Sequence, residues 1–151
     1  MSGDRLATST EMLSALAGQY AAAARDLLAG RLISVVLFGS VAREEAIASS
    51  DIDLLVVVDE APPGATRRRL MLEPVRKRLM AQLERAWDQG IFTDFSEVII
   101  TREEAAKPRR FFLDLVEDAT ILHDEGGVLR GGPCQSSSQG EGYGRGEKAY
   151  R

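Results

Sequence analysis

The sequence predicts an α/β (α+β) domain in which a mixed β-sheet is flanked by helices. Three observations predict it: short apolar runs rich in Val, Ile and Leu, longer stretches with apolar residues three and four apart, and their interleaving along the chain. The first helix is expected over residues 10–28, where Met12, Leu13, Leu16, Tyr20, Ala24, Leu27 and Leu28 recur at helical spacing, with Gly30 closing it. Residues 31–38 read as a strand, central because Leu32-Ile33 and Val35-Val36-Leu37-Phe38 are apolar on both faces. Gly39 ends it, and Ser40 is placed to N-cap a short helix through Val41, Ala42 and Arg43.

A second strand is expected over residues 51–58, stopped by Pro62-Pro63. Leu72, Val75, Leu79, Leu83 and Ala86 mark one face of a long helix over residues 66–87, kinked or restarted at Pro74. A third strand covers residues 94–100, and Thr101 to Glu104 has capping-box spacing for a short helix. Residues 111–116 suggest a further helix and residues 120–122 a last short strand. From residue 126 the composition changes: the final segment holds eight of the 14 glycines and the run Gln-Ser-Ser-Ser-Gln, too little apolar surface to offset its ordering entropy. The folded domain is therefore expected over residues 1–125, with a disordered Gly/Ser-rich tail over 126–151. The break also reads as a truncated or frameshifted end beginning near Gly131.

At 151 residues, 44% hydrophobic, the chain can bury the core of one domain and no more. Its single histidine, His123, and single cysteine, Cys134, exclude a disulfide framework, a Cys/His zinc site and a Cys-His dyad within one chain. Catalysis would have to run on carboxylates, hydroxyls, backbone amides and a borrowed metal. The formal charge is −4, and residues 1–125 carry 15 Lys and Arg against 21 Asp and Glu, which disfavours general attraction to nucleic acid. The N-terminus has no apolar signal-peptide core and no apolar run is membrane-long, so a cytoplasmic protein with no membrane partner is expected.

Chemistry concentrates between Phe38 and Leu54. Asp51 and Asp53 stand two apart at the start of an apolar strand, so both side chains point to one face and can converge on a divalent cation. Two acids there are costly unless neutralised, and Mg²⁺ suits the donor set while leaving positions for phosphates. Gly39 allows close backbone approach, and the amides after it together with the Ser40 hydroxyl form a cradle for a terminal phosphate. A strand, a phosphate turn and then a metal-binding strand, in that order, is the logic of a nucleotide-dependent transferase.

Gly39-Ser40, Arg43 and Ser50-Asp51-Ile52-Asp53 resemble the signature of the DNA polymerase β nucleotidyltransferase superfamily, and the short chain resembles its minimal nucleotidyltransferases, the MNT proteins. The likeness is tightest over residues 36–58 and looser to about residue 124. It implies a polymerase-β-like nucleotidyltransferase fold in which two Mg²⁺ ions and an NTP, ATP foremost, lie over the sheet end. An acceptor hydroxyl would attack the α-phosphate and pyrophosphate would leave. Carried over residue by residue, Gly39 and Ser40 would hold the outer phosphates, Asp51 and Asp53 would ligate metal, and Arg43 would either neutralise phosphate or pair with Glu44 or Glu45. The chain departs from the pattern at Glu44, where members often have glycine. The third carboxylate is open between Asp94 and Glu97, which face opposite sides of a regular strand, so only one can join the pair; the reading leans to Glu97.

Arg67-Arg68-Arg69 and Arg76-Lys77-Arg78 align partly on one helix face, as a solvated surface or as a docking surface for an acidic partner or for RNA, the last disfavoured by the net charge. Trp87 and Phe95 read as core, and His123 as a strand-end residue. The resemblance to MNT proteins implies an antitoxin that AMPylates a HEPN-type toxin. The alternative is a catalytically silent module that neutralises its partner protein by occlusion.

Overall fold

The structure is a computed structural model that describes residues 2–107 and 118–125, with side chains from residue 9 onward. The expected helix over 111–116 and the tail over 126–151 lie outside the described residues. Four strands form one mixed sheet in the order β3-β2-β1-β4: β1 (Leu32–Phe38), β2 (Ile52–Val58), β3 (Phe95–Thr101) and β4 (Thr120–Asp124). β1 runs antiparallel to both β2 and β4, whereas β2 and β3 are parallel. The C-terminal end of β1 therefore meets the N-terminal ends of β2 and β3 at one edge of the sheet.

The apolar runs of β1 and β2 supply both faces, as their lack of alternation predicts. On one face Val35, Leu37, Ile52, Leu54, Val56, Phe95 and Ile99 join the main core; on the other Ile33, Val36, Leu55, Val57 and Ile100 form a smaller one. Helix α1 (Ser2–Leu28) lays Leu13, Leu16, Ala17, Tyr20, Ala24 and Leu28 on the first face, the three-and-four spacing that marks it in the sequence. It begins eight residues earlier than expected, and Ala29, with φ 49°, turns the chain rather than Gly30.

The expected long helix over residues 66–87 is three helices: α3 (Ala65–Met71), α4 (Glu73–Arg78) and α5 (Met80–Asp88). The breaks fall at Leu72 and Leu79, whose ψ near zero tightens the chain while each side chain stays buried. Pro74 sits in the first turn of α4, where its missing amide costs nothing. Thr101 caps α6 (Arg102–Ala105) through the expected capping box, its hydroxyl accepting from the Glu104 amide at 3.1 Å while the Glu104 carboxylate accepts from the Thr101 amide at 3.0 Å.

The arginine clusters are drawn into the fold by carboxylates distant in the chain. Arg68 donates to Glu104 through two nitrogens at 2.8 and 3.1 Å, and to the carbonyls of Ile99 and Pro62. Arg78 reaches Asp26, Arg76 reaches Asp94 and Arg69 reaches Glu97. Among the described residues no helix is long and apolar enough to cross a membrane.

Because Arg68 ties α3 to β3 and α6 while mostly shielded from water, Arg68→Ala is expected to cost about 2 kcal/mol in chemical denaturation by leaving Glu104 and two carbonyls short of a donor. A change below about 0.5 kcal/mol would place the Arg68 network among ordinary surface pairs.

Candidate active site at the β1–β2–β3 edge

Register assembles the site. Phe38, the last residue of β1, is opposite Asp53, and Asp53 is opposite Ser96 on β3. Gly39 follows Phe38 with φ 77°, the left-handed region, and passes so close to β2 that a Cβ there would overlap Asp53 Oδ2 and stand 3.0 Å from its Cγ. Only glycine meets both conditions. The short helix α2 (Gly39–Ala42) starts at Gly39 itself, so Ser40 lies inside it and no side chain caps it, in contrast to the expected Ser40 cap.

Asp51 immediately precedes β2 and is exposed; Asp53 is half-buried. Burial pushes the Asp53 carboxyl above the ordinary aspartate range, and the nearby Asp51 charge adds to this, against the Arg43 charge and a hydrogen bond from Ser96. A half-buried carboxylate raised in this way, with a second one two residues away, suits a cation. Arg43 lends its charge toward Asp53 while its Nε donates to Glu45 at 3.1 Å, both partners being exposed. The pairing expected of Arg43 is thus made with Glu45. Ser50 anchors the preceding loop, its hydroxyl accepting from the Ile47 amide at 2.9 Å.

Glu44 has φ 60°, which explains the departure noted in the sequence: the turn after α2 wants a residue free in the left-handed region, and glycine is the usual one.

The structure does not bring Glu97 to the pair. It lies opposite Leu54, whose side chain points into the main core beneath α1, so Glu97 projects through the face of the sheet opposite to Asp53. Its side chain is only 4% exposed, accepts from the Tyr20 hydroxyl at 2.6 Å and lies 3.7 Å from Arg69. Burial pushes Glu97 up, outweighing Tyr20 and Arg69, and burial and then the Glu97 charge push the Tyr20 phenol up. A cavity of about 270 Å³ lined by Thr66, Arg69, Leu70, Glu73, Arg76 and Glu97 opens on this face.

Asp94 does not join the pair either. It precedes β3 and accepts a bidentate fork from Arg76 at 2.9 and 2.7 Å and the Phe95 amide at 2.7 Å. Burial alone would raise its carboxyl, but these donors and the Arg69 charge hold it below the usual carboxylate range. Among the described residues no three Asp, Glu, His or Cys side chains converge on a common point. Ser96, which sequence reasoning passed over, is the β3 residue level with Asp53 on the same face.

Phe95 is core, its ring 4.8 Å from that of Tyr20, and Trp87 donates to the Thr93 carbonyl while packing on the core. His123 in β4 lies opposite Val35 and within 3.7 Å of Glu125.

Residues 20–113 match the family model of the nucleotidyltransferase domain. The chain belongs to that family. The matched stretch contains the Gly39 turn, the Asp51/Asp53 pair and β3, so the edge described above lies within the family's domain. The fold is also similar to a chain in a solved structure described as the crystal structure of the toxin-antitoxin with AMP-PNP, with a TM-score of 0.51 at 14% identity over 88% of this chain and 93% of that one. No curated protein matches.

Two outcomes follow from the two faces. Gly39→Ala forces Asp53 aside and is expected to reduce Mn²⁺-dependent nucleotide binding at least about tenfold, read by calorimetry; wild-type binding would contradict the close approach. Glu97→Gln keeps an acceptor for Tyr20 and leaves that binding unchanged. Since the folded Glu97 carboxyl holds its proton to higher pH than the unfolded one, ionising it disfavours the fold, and the penalty fades as pH falls toward the ordinary glutamate value. Glu97→Gln is therefore more stable than wild type near neutral pH, by a margin that shrinks on acidification; a margin that grows would reverse the sign.

Proposed function

We propose that the chain is a nucleotidyltransferase that moves a nucleoside monophosphate, AMP from ATP, to an acceptor hydroxyl with release of pyrophosphate, acting in the cytoplasm as an antitoxin on a HEPN-type partner protein. The observation that carries this reading is the Gly39 backbone held against the Asp53 carboxylate at the same sheet edge as Asp51. The donor set suits magnesium: two carboxylates two residues apart, one of them half-buried and raised toward protonation by burial and by the neighbouring Asp51 charge. Asp51 and Asp53 would hold it, as one or two ions. Bound there, magnesium supplies charge neutralisation for the attacking and leaving oxygens of an in-line displacement.

The residues of the chain bind and orient. Gly39 gives phosphate oxygens access that a side chain would deny, Ser40 offers a hydroxyl donor, and Arg43 adds positive charge beside Asp53. The acceptor oxygen bonds to the α-phosphorus, the bond to the bridging oxygen breaks, pyrophosphate leaves with that electron pair, and the acceptor's proton passes to water. Holding the reactants in line is the main lever available to so small a site. The toxin–antitoxin neighbour with a bound ATP analogue supports a protein partner as the carrier of the acceptor. Engagement of four of the six clustered arginine and lysine side chains by carboxylates of the chain itself supports a protein partner over nucleic acid.

A second reading is neutralisation of that partner by occlusion, without transfer. The convergence of only two acidic side chains among the described residues favours it.

Incubation of the chain and its partner with labelled ATP and Mg²⁺ is expected to label the partner, and Asp51→Ala/Asp53→Ala to abolish the label. Partner neutralisation that persists in the double variant, with no label from either protein, would select occlusion.

A further inference from the structure

We propose that the cavity between α3, α4 and β3 is a binding site for a small free aliphatic amine, whose ammonium group is taken by Glu97 beside Glu73. The cavity, about 270 Å³, is lined by Thr66, Arg69 and Leu70 of α3, Glu73 and Arg76 of α4, and Glu97 of β3. Glu97 projects through the face of the sheet opposite to Asp53, so this site is separate from the Gly39 edge. The Glu97 side chain is only 4% exposed. Its Oε2 accepts from the Tyr20 hydroxyl at 2.6 Å. Its Oε1 has Arg69 Nε at 3.7 Å, beyond hydrogen-bonding reach, and accepts no hydrogen bond among the described residues. A shielded carboxylate oxygen left short of a donor is costly, and a ligand that brings one relieves the cost.

The surrounding charges call for a cation. Arg76 is taken up by Asp94 through two nitrogens, and Arg69, its side chain 60% exposed, is held loosely. Against these two guanidinium groups stand the carboxylates of Glu73, Asp94 and Glu97. Glu73 is half-buried and takes no part in a salt bridge among the described residues. Its charge and that of Asp94 both act to push the Glu97 carboxyl up. An ammonium suits the lining better than a bare metal ion, since no three metal-ligating side chains converge among the described residues. Its N–H groups find acceptors in Glu97, Glu73 and the Thr66 hydroxyl. Leu70, 63% exposed, offers apolar surface to the methylene stem. The volume suits a short free molecule, below the range of drug-sized ligands. The incoming ammonium displaces Arg69, which turns to water without losing a hydrogen bond to Glu97.

NMR titration of the full chain with putrescine at neutral pH and low salt is the test, with butanediol as the neutral control and inorganic phosphate as the anionic one. Amide shifts are expected at residues 66–76 and 96–98 with putrescine and with neither control. Glu97→Gln, which keeps the acceptor for Tyr20 and melts no lower than wild type, weakens putrescine binding at least about tenfold. Arg69→Met strengthens it about two- to fivefold, because the competing cation is gone while the aliphatic stem stays. Wild-type affinity in Glu97→Gln would overturn the assignment, as would weaker binding in Arg69→Met. Shifts with phosphate in place of putrescine would overturn it in favour of an arginine-based anion site. Tighter binding of Nα-acetyl-lysine methylamide than of putrescine would overturn the free amine in favour of a partner's lysine side chain.

Discussion

The close approach of the Gly39 backbone to the Asp53 carboxylate is the constraint on which the rest of the site depends. It requires β1 and β2 to be antiparallel and in a register that puts Phe38 opposite Asp53, and it requires a residue without a Cβ at φ 77° where β1 gives way to α2. The packing that supports this register is the burial of apolar side chains from both faces of β1 and β2. A slip of one residue would send Asp53 into the main core and move Leu54 to the half-buried position Asp53 now holds. The hydrophobic pattern of the two strands and the placement of the acidic pair are thus one requirement.

Electrostatics divides the same edge into two environments. On one face burial and then the Asp51 charge raise the proton affinity of Asp53, and Arg43 and Ser96 offset this only in part. On the other, Glu97 is buried against Tyr20 and Arg69, and Asp94 is locked to Arg76, so these two acids hold helices α1, α3 and α4 to the sheet instead of joining Asp51 and Asp53. The small domain spends its surface arginines on internal carboxylates, which leaves the basic clusters little net charge to offer a polyanion.

The elements most legible in the sequence are those with a strong local signature. The continuous apolar runs of β1 and β2, the helical spacing of α1, the Thr101 capping box and the Gly39-Ser40 turn each follow from side chains a few residues apart. The break at Leu72 is the restart that Pro74 announces, with Pro74 in the first turn of α4; the break at Leu79 was not legible, because leucine favours helix. Alternation says that Asp94 and Glu97 diverge, but not which face either takes; that depends on the register between β2 and β3, a contact between strands more than 40 residues apart in the chain. Ser96 escaped notice because a serine in a strand carries no chemical flag until its neighbour across the sheet is known. Glu44 shows the reverse: its mismatch was visible in the sequence, and its physical meaning, a positive φ, only in the structure.

Anomalous diffraction from crystals holding Mn²⁺ and a non-hydrolysable ATP analogue tests the central claim most directly. The account predicts a manganese peak within coordination distance of the Asp51 and Asp53 carboxylates, on the Ser96 face of the sheet, with the outer phosphates against Gly39 and Ser40. A peak in the cavity between Arg69 and Glu97, or nucleotide bound away from the Gly39 turn, would contradict it.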